Sequence, residues 1–246
     1  MHPSEEQHRL ATQVLSVEMQ DCYIRVPDKK RLAFLDLLIA LSEKDGSLSD
    51  ADIREEVDTF MFEGHDTVST AITWALYLIG IHKDIQDKLV EELDDIFHGS
   101  DRPATWTDLN NMKYMEMTIK EALRIYPSVP VFARETTSIV QLEKYTIPKG
   151  VEILFFPYVI HRNPKVFPEP NKFNPDNFLP DRIQSRHPFS YVPFSQRFAL
   201  LEEKAIISSI LRRFKLESVQ PKELKILLDL ILKPLDPIKI KITERL

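Results

Sequence analysis

The chain has 246 residues, of which 32 are lysine or arginine and 38 are aspartate or glutamate, so its formal net charge is −6. Without a basic excess we expect no nucleic-acid partner, and with five glycines the chain has no glycine-rich nucleotide loop and no G-x-S-x-G elbow. Cys22 is the only cysteine and the seven histidines form no close ligand pair, so neither a disulfide nor a protein-ligated metal site is expected.

The first part of the chain, residues 1–137, is predicted to be helical. Apolar residues at helical spacing begin at Leu32 and stop at a short acidic, glycine-containing break. A long helix follows, with Ser49 or Asp50 as its cap, and the i, i+3, i+4 pattern continues to near Gly80. No apolar stretch reaches the ~20 residues that a membrane span needs, so no transmembrane segment is expected in this chain.

Three shorter helices are predicted after the long one. Residues 85–97 place leucines on one side and charges on the other. Thr107 or Asp108 can cap a short helix, and residues 115–125 form another helix that Pro127 stops.

The pattern changes over residues 138–195. Residues 139–147 and 151–156 are predicted to pair as a hairpin across the turn at 148–150. Prolines are then so frequent over residues 157–193 that regular structure is not expected, and this segment is interpreted as a long ordered meander.

The last part, residues 196–246, is predicted to contain a helix and terminal strands. The helix covers residues 196–214, and the alternation of isoleucine and lysine over 238–242 is typical of a strand. The whole chain is therefore predicted to be mainly α with a small β part.

One feature of the long helix does not fit a purely structural role. Gly64 lies in its middle, at a cost of about 1 kcal/mol relative to alanine, and carboxylates interrupt the apolar face there. Glu63 and Thr67 are i, i+4 neighbours, so a flat ligand could approach the backbone at Gly64 with a carboxylate and a hydroxyl beside it. The alternative is a helix kink with solvated charges.

Two other features are ambiguous when taken alone. Glu121 and Arg124 are an i, i+3 pair, and on a surface such a pair contributes only about 0.3–0.5 kcal/mol. The meander alternates rigid proline turns with apolar anchors from Phe167 to Phe178, which suits either a packed loop or a functional segment.

Together, in this order and at these separations, the motifs resemble the C-terminal half of a cytochrome P-450. The resemblance covers essentially the whole chain and is greatest to family 4, fatty-acid hydroxylases of the endoplasmic reticulum. It rests on Phe-Glu-Gly-His-Asp-Thr at 62–67, Glu-Ala-Leu-Arg at 121–124, Arg134, His-Arg-Asn-Pro at 161–164, the segment 173–178, Arg-His-Pro-Phe at 186–189 and Val-Pro-Phe-Ser at 192–195.

The resemblance implies roles for particular residues. Thr67 matches the oxygen-activating threonine, and Asp66 matches its acidic neighbour in proton delivery. Glu63 matches the glutamate that becomes ester-linked to the heme edge in several family 4 members. Gly64 belongs to the same heme-facing motif, and Arg134 matches the arginine that reaches a heme propionate.

Glu121 and Arg124 match a buried ion pair that, together with an arginine from the meander, holds the core of the family. Asn177 stands at the position where the family commonly has that arginine. Arg182 is a candidate substitute, and the sequence alone does not decide whether it takes this role.

The main departure lies between Ser195 and Gln196, where about eight residues of the family's loop are absent. That loop has the form Phe-x-x-Gly-x-x-Arg-x-Cys-x-Gly, and its cysteine thiolate is the axial ligand of the heme iron. Cys22 lies far upstream and cannot replace it. The resemblance also implies a family length roughly twice that of this chain.

The resemblance thus implies a heme-thiolate monooxygenase that hydroxylates fatty acids or similar lipids with O2. Its electrons would come from NADPH-cytochrome P-450 reductase, at the cytosolic face of the endoplasmic reticulum membrane. Without the cysteine loop and the N-terminal half we expect an inactive fragment, in which even heme binding is in question. The alternative is a non-catalytic helical protein kept for binding, such as a decoy for an intact relative.

Overall fold

The structure, a computed structural model, describes residues 33–194, 197–220 and 224–245. These residues belong to two compact units, the first ending at Thr59 and the second beginning at Phe60. Cys22 and the first predicted apolar position, Leu32, lie outside the described residues. The single partial domain over residues 1–246 stays a prediction.

The first unit contains helix α1 (Phe34–Asp45) and the start of helix α2 (Asp50–Ile81). α1 ends at Gly46, whose φ of 65° is the left-handed conformation that glycine adopts without strain. Ser49 caps α2, because its N–H donates to the Asp52 carboxylate at 2.8 Å and the Asp52 N–H donates to Ser49 Oγ at 3.2 Å. This reciprocal pair identifies Ser49 rather than Asp50 as the cap.

The second unit has its core around the last turns of α2. The Trp74 ring is fully buried and stacks on Tyr126 at a centroid distance of 4.0 Å. Its indole N–H donates to the Leu232 carbonyl at 3.0 Å, which gives the buried donor the partner it needs. Trp74 therefore joins α2 to the C-terminal part of the chain.

Three helices follow, as predicted: α3 (Lys83–Phe97), α4 (Trp106–Asn111) and α5 (Lys113–Ile125). The apolar side of α3 is the buried one, with Ile85, Leu89, Leu93 and Phe97 inside. Glu92 on α3 accepts the N–H groups of Tyr114 at 2.6 Å and Met115 at 2.9 Å. A carboxylate is favourable at a helix N-terminus, so this contact fixes the start of α5 against α3.

The predicted cap of α4 is wrong by two or three residues. Thr105 is the cap, and its hydroxyl accepts the Asp108 N–H at 3.3 Å. The Asp108 carboxylate in turn accepts the Thr105 N–H at 2.7 Å, and its other oxygen accepts Arg102 Nη2 at 2.9 Å. Asp108 is thus the third residue of a capping box rather than the cap itself, and Thr107 lies inside the helix.

The predicted hairpin is also wrong in its pairing. Four strands occupy this region: β1 (Phe132–Glu135), β2 (Val140–Leu142), β3 (Tyr145–Ile147) and β4 (Glu152–Phe155). β2 pairs with β3, so the segment 139–147 folds on itself, and β4 pairs with the earlier β1. Thr136 stabilises this arrangement, because its hydroxyl donates to the Pro148 carbonyl at 2.7 Å and its N–H donates to the Val151 carbonyl at 3.0 Å.

The proline-rich segment is ordered, and several of its prolines start short helical turns. These are helix α6 (Pro157–Ile160), a first 3₁₀ turn (Pro175–Phe178), helix α7 (Pro180–Gln184) and a second 3₁₀ turn (Pro188–Ser190). Proline suits the first position of a helix because its fixed φ is helical and its missing N–H would have no partner there. Phe167, Phe173 and Phe178 are buried between these turns.

The chain closes with helix α8 (Arg197–Leu211) and strands β5 (Phe214–Ser218), β6 (Ile226–Leu227), β7 (Lys233–Pro234) and β8 (Ile240–Glu244). β5 pairs antiparallel with β8, with Leu216 opposite Ile242. The predicted helix is too long at its end, because Phe214 begins β5. The mainly α fold with a small β part is confirmed, and within the described ranges no helix is long and apolar enough to cross a membrane.

Gln86 on α3 is a buried amide that replaces a strand neighbour for β5. Its Nε2 donates to the Leu216 carbonyl at 2.9 Å and to the Ile79 carbonyl at 3.2 Å, while its Oε1 accepts the Leu216 N–H at 2.9 Å. α2 also approaches the backbone of β5, since a Cβ added to Gly80 would be 3.0 Å from the Ser218 nitrogen. Polar backbone groups at this buried junction are therefore satisfied by one side chain.

We expect Gln86→Ala to lower the free energy of unfolding by about 2–4 kcal/mol, because buried groups of Leu216 lose their partners. Urea denaturation measures this difference. Asp87→Ala is the matched control: it lies on the exposed side of the same turn and should change stability by no more than about 0.5 kcal/mol. Equal effects of the two substitutions would contradict the role given to Gln86.

Candidate functional site

The motif Glu63 to Thr67 lies on two consecutive turns of α2. The Thr67 hydroxyl donates to the Glu63 carbonyl at 2.5 Å, a side-chain bond from i to i−4 on the continuous helix α2. The Thr67 carbonyl accepts the Ser128 hydroxyl at 2.9 Å. His65 Nδ1 lies 3.0 Å from Asp66 Oδ1 on the exposed side. A residue outside the helix thus holds the backbone of Thr67.

Gly64 leaves open space on this helix, as the sequence suggests. A methyl group at Gly64 would meet no described atom within 4 Å apart from its chain neighbours and the nearby backbone of its own helix. Glu63 beside it is exposed, and so are Met61 and Phe62, at 65% and 52%. This exposed face is where the sequence analysis expects a flat ligand to approach the backbone, and that expectation stays a prediction.

Arg134 lies apart from this notch, on β1. Its guanidinium donates to the Ala133 carbonyl at 2.8 Å, and its Cζ lies 5.1 Å from the centre of the Phe132 ring. Within the described ranges it forms no ion pair and no bond to the residues of the notch. An exposed guanidinium without a carboxylate partner can bind an anionic group of a ligand.

Glu121 and Arg124 form a buried ion pair, both with 0% side-chain exposure. Arg124 Nε donates to Glu121 Oε2 at 2.7 Å, and Nη2 donates to Oε1 at 2.8 Å. The other three N–H groups of Arg124 donate to the carbonyls of His161 at 3.0 Å, Pro170 at 2.7 Å and Lys172 at 3.0 Å. All five donors of this guanidinium are used, so it fastens the proline-rich segment to α5.

Asn177 takes part in the same cluster. Its Nδ2 donates to Glu121 Oε1 at 3.1 Å, and the Asn174 N–H donates to the same oxygen at 2.9 Å. Arg182 does not substitute for the family's arginine, because it is exposed and its guanidinium donates no hydrogen bond among the described residues. Its carbonyl accepts the Ser185 hydroxyl at 2.9 Å and Arg186 Nε at 3.0 Å. Arg186, which the sequence analysis names only within the Arg-His-Pro-Phe motif, has its guanidinium over the Phe178 ring at 5.2 Å.

His161 supports the backbone that leads to the missing loop. Its ring is buried, and Nε2 accepts the Val192 N–H at 2.9 Å. Burial and then the nearby Arg124 lower the pKa of His161 to about 4, so the imidazole is neutral at physiological pH. The Tyr191 ring packs on it at 5.0 Å, and the Tyr191 hydroxyl donates to the Lys120 carbonyl at 3.0 Å.

The junction after this segment has no iron ligand of the expected kind. Only Ser195 and Gln196, both outside the described residues, separate Phe194 from α8, and no cysteine follows Cys22. Among the described residues no three His, Cys, Asp or Glu side chains are placed to hold a metal ion. The part of the chain after Cys22 therefore offers no cysteine thiolate for the axial position of a heme iron. The heme-facing roles of Glu63, Gly64 and Arg134 stay predictions.

Glu203 on α8 is a second buried acid that sequence reasoning missed. It is 2% exposed, and its Oε2 has no hydrogen-bond partner among the described residues. Burial, with a smaller effect from Glu202, raises the pKa of Glu203 to about 8. The adjacent Lys204 is already taken, since its Nζ donates to Glu116 Oε2 at 2.8 Å and to the Leu109 carbonyl at 3.0 Å. Glu203 is therefore neutral in the folded chain near pH 7.

Comparisons with known proteins agree with the motifs. The protein-family model described as cytochrome P-450 matches residues 4–242. Cytochrome P-450 4c3 of Drosophila melanogaster is 52% identical over 236 residues, which cover 92% of this chain and 44% of that protein. Cytochrome P-450 4c21 of Blattella germanica is 52% identical over 226 residues, 88% of this chain and 45% of its own length. Cytochrome P-450 4V2 of Homo sapiens is 50% identical over 226 residues, 88% of this chain and 43% of its own. The chain thus spans less than half the length of these curated relatives.

A substitution at Glu121 tests how much the buried ion pair with Arg124 contributes to the free energy of unfolding. We expect Glu121→Gln to lower the free energy of unfolding by about 3–5 kcal/mol, because the Arg124 charge stays buried without its counter-charge. Urea denaturation gives the value. The matched control is Glu169→Gln, which removes the carboxylate of another i, i+3 pair whose side chains are 67% and 60% exposed. That change should lower the free energy of unfolding by less than about 1 kcal/mol. Equal losses for the two variants would contradict the stabilising role given to the buried ion pair.

The raised pKa of Glu203 predicts that the free energy of unfolding depends on pH. The unfolded carboxyl ionises near its ordinary pKa of 4.5, whereas the folded one keeps its proton to about 8. The folded state thus binds more protons between these values, so stability should fall as pH rises from 5.5 to 7.5, by about 1.4 kcal/mol per unit relative to Glu203→Gln.

The measurement is the urea midpoint against pH for three chains: wild type, Glu203→Gln and Glu202→Gln. Glu202 is the exposed neighbour, so its variant should keep the wild-type slope. Equal slopes of the urea midpoint against pH for wild type and Glu203→Gln would show that the folded chain does not keep Glu203 neutral.

Proposed function

The chain belongs to the cytochrome P-450 family, and we propose that in this form it is a non-hydroxylating member of the heme-thiolate monooxygenases that act on fatty acids or similar lipids. One observation carries the proposal: only two residues separate Phe194 from Arg197, and no cysteine lies there. The thiolate pushes electron density onto a bound heme iron and so assists O–O cleavage. Without that ligand, oxygen activation of the family's kind has no support.

The scaffold around this gap supports a member of the family rather than an unrelated helical protein. The Arg124 clamp holds the meander on α5, and the hydrogen bonds of His161 and Tyr191 hold the backbone up to Val192. The Thr67 hydroxyl, which donates to the Glu63 carbonyl in the absence of a ligand, would pass a proton to a ligand above Gly64. Asp66 beside it could renew that proton from the exposed side.

The remaining parts of the proposal follow from the family. Glu63, Gly64 and Arg134 would lie along the edge of the heme, with Arg134 toward a propionate. The electron donor would be NADPH-cytochrome P-450 reductase, and the place of action the cytosolic face of the endoplasmic reticulum membrane. Each of these assignments is proposed for a complete heme-binding form of the protein.

A non-catalytic binding protein is the second candidate. Large apolar side chains are exposed at Met61, Phe62, Phe194 and Phe198, with 77% of Phe198 accessible. A contiguous patch of such side chains is typical of a surface that another protein covers, and the second candidate requires that these four form one. Binding of an intact relative without heme uptake would favour this role.

We expect the chain with added heme, reduced and treated with carbon monoxide, to lack the red-shifted absorption band that a thiolate ligand gives. The decisive variant carries an eight-residue loop with glycine and cysteine inserted between Ser195 and Gln196. It should acquire the band because the iron regains its ligand. The matched control has serine in place of the inserted cysteine and should lack it.

A thiolate-type band from the unmodified chain would overturn the proposed loss of oxygen activation. Failure of the cysteine loop to produce the band, with the variant folded, would contradict the retained heme scaffold.

A further inference from the structure

Helix α2 is held from outside at two points that lie about two turns apart. Thr67 and Trp74 are i, i+7 neighbours, so they lie on one face of the helix. The Thr67 carbonyl accepts the Ser128 hydroxyl at 2.9 Å. The Trp74 indole N–H donates to the Leu232 carbonyl at 3.0 Å. All four residues belong to the second unit.

One further hydrogen bond joins these two contacts to each other. The Leu232 N–H donates to the Ser128 carbonyl at 2.9 Å. A continuous path therefore runs from Thr67 through Ser128 and Leu232 to Trp74, and α2 closes this path into a ring. We call the three hydrogen bonds of this path the Ser128 bridge.

The Ser128 bridge consists of groups with little freedom to find other partners. Ser128 is 3% exposed, and Leu232 and Trp74 are fully buried. Pro127 precedes Ser128 directly and Pro130 follows two residues later, so the fixed φ angles of two prolines restrict the backbone here. A buried hydroxyl in such a setting needs a protein acceptor, and the carbonyl on α2 is that acceptor.

The bridge matters for the Thr67 side chain because that side chain has to change partners. Its hydroxyl donates to the Glu63 carbonyl at 2.5 Å, and it must turn away from this acceptor before it can donate to a ligand. The turn of α2 then loses one of its side-chain contacts. The Ser128 hydroxyl holds the Thr67 carbonyl independently of that contact, so the backbone of the turn stays in place.

We propose that Ser128 is a positioning residue for Thr67, and that the Ser128 bridge couples this turn of α2 to the C-terminal segment at Leu232. Ser128 acts through the Thr67 carbonyl, which fixes the position and rotation of the turn. The proposal rests on the role proposed above for the Thr67 hydroxyl. Its test uses the chain without heme, so the outcome of the carbon monoxide experiment does not affect it.

Four chains test the bridge: wild type, Ser128→Ala, Ser128→Thr and Ser208→Ala. Ser128→Thr keeps the hydroxyl and is the conservative variant. Ser208→Ala is the matched control, because Ser208 is also a fully buried serine. Its hydroxyl donates to the Ala205 carbonyl of its own helix at 3.1 Å, so its loss does not touch α2.

The measurement is amide hydrogen exchange at three residues, followed by NMR spectroscopy. Ala71 reports on the turn, because its N–H faces the Thr67 carbonyl in a regular helix. Leu232 reports on the far end of the bridge, and the buried Leu89 on α3 serves as the reference.

Ser128→Ala should speed exchange at Ala71 and at Leu232 about 2- to 10-fold relative to Leu89, as expected when one hydrogen bond is lost and the local structure opens more often. Ser128→Thr should keep the wild-type ratios. Ser208→Ala should change all three amides by the same factor or leave them unchanged. If Ser128→Ala does not fold, Ser128→Cys replaces it, since a thiol is a weaker donor of similar size.

Three results would overturn the proposal. Faster exchange at Ala71 without a change at Leu232 would show that the turn is not coupled to the C-terminal segment. Equal factors at all three amides would show a general loss of stability rather than a positioning role. A Ser128→Thr chain that behaves like Ser128→Ala would show that the hydroxyl is not the group that matters.

Discussion

The fold of the second unit depends on one guanidinium. Arg124 lies on a regular helix, and its five N–H groups donate to four acceptor groups. One is the Glu121 carboxylate on the same helix, and the other three are carbonyls from a segment with little regular structure. A proline-rich segment has few backbone bonds of its own to define it. Because every N–H of Arg124 has an acceptor, the segment is held at three separate points by a single rigid plane of atoms. The cost of burying the charge is offset only while that set is complete.

Helices were predictable from the sequence, and strand pairs were not, for a physical reason. The apolar period of α3 and α5 is a local property, so their limits follow to within about two residues. Strand pairing depends on which segments meet, and residues 151–156 were as compatible with β2 and β3 as with β1. Thr136 decides between them through its bonds to Pro148 and Val151, and a single threonine gives no signal in a linear pattern.

The candidate site was predictable to different degrees. The glycine and carboxylates of α2 stand out against an apolar face, so the open notch at Gly64 is visible in the sequence. The Glu121 and Arg124 spacing alone is uninformative, since exposed pairs such as Lys172 with Glu169 have it too. Glu203 escaped notice because its burial arises from packing between distant segments, and no local pattern encodes it.

The amide of Gln86 has a consequence for how this chain behaves in a crowded solution. Among the described residues β5 pairs with β8 on one side only, and the N–H and C=O of Leu216 bond to Gln86 on the other side. An unprotected strand edge at that side would be able to pair with a strand from another molecule. Gln86 presents one donor and one acceptor to those groups, as a neighbouring strand would. A side chain therefore closes an edge that could otherwise template aggregation, and it does so from a helix that cannot extend the sheet.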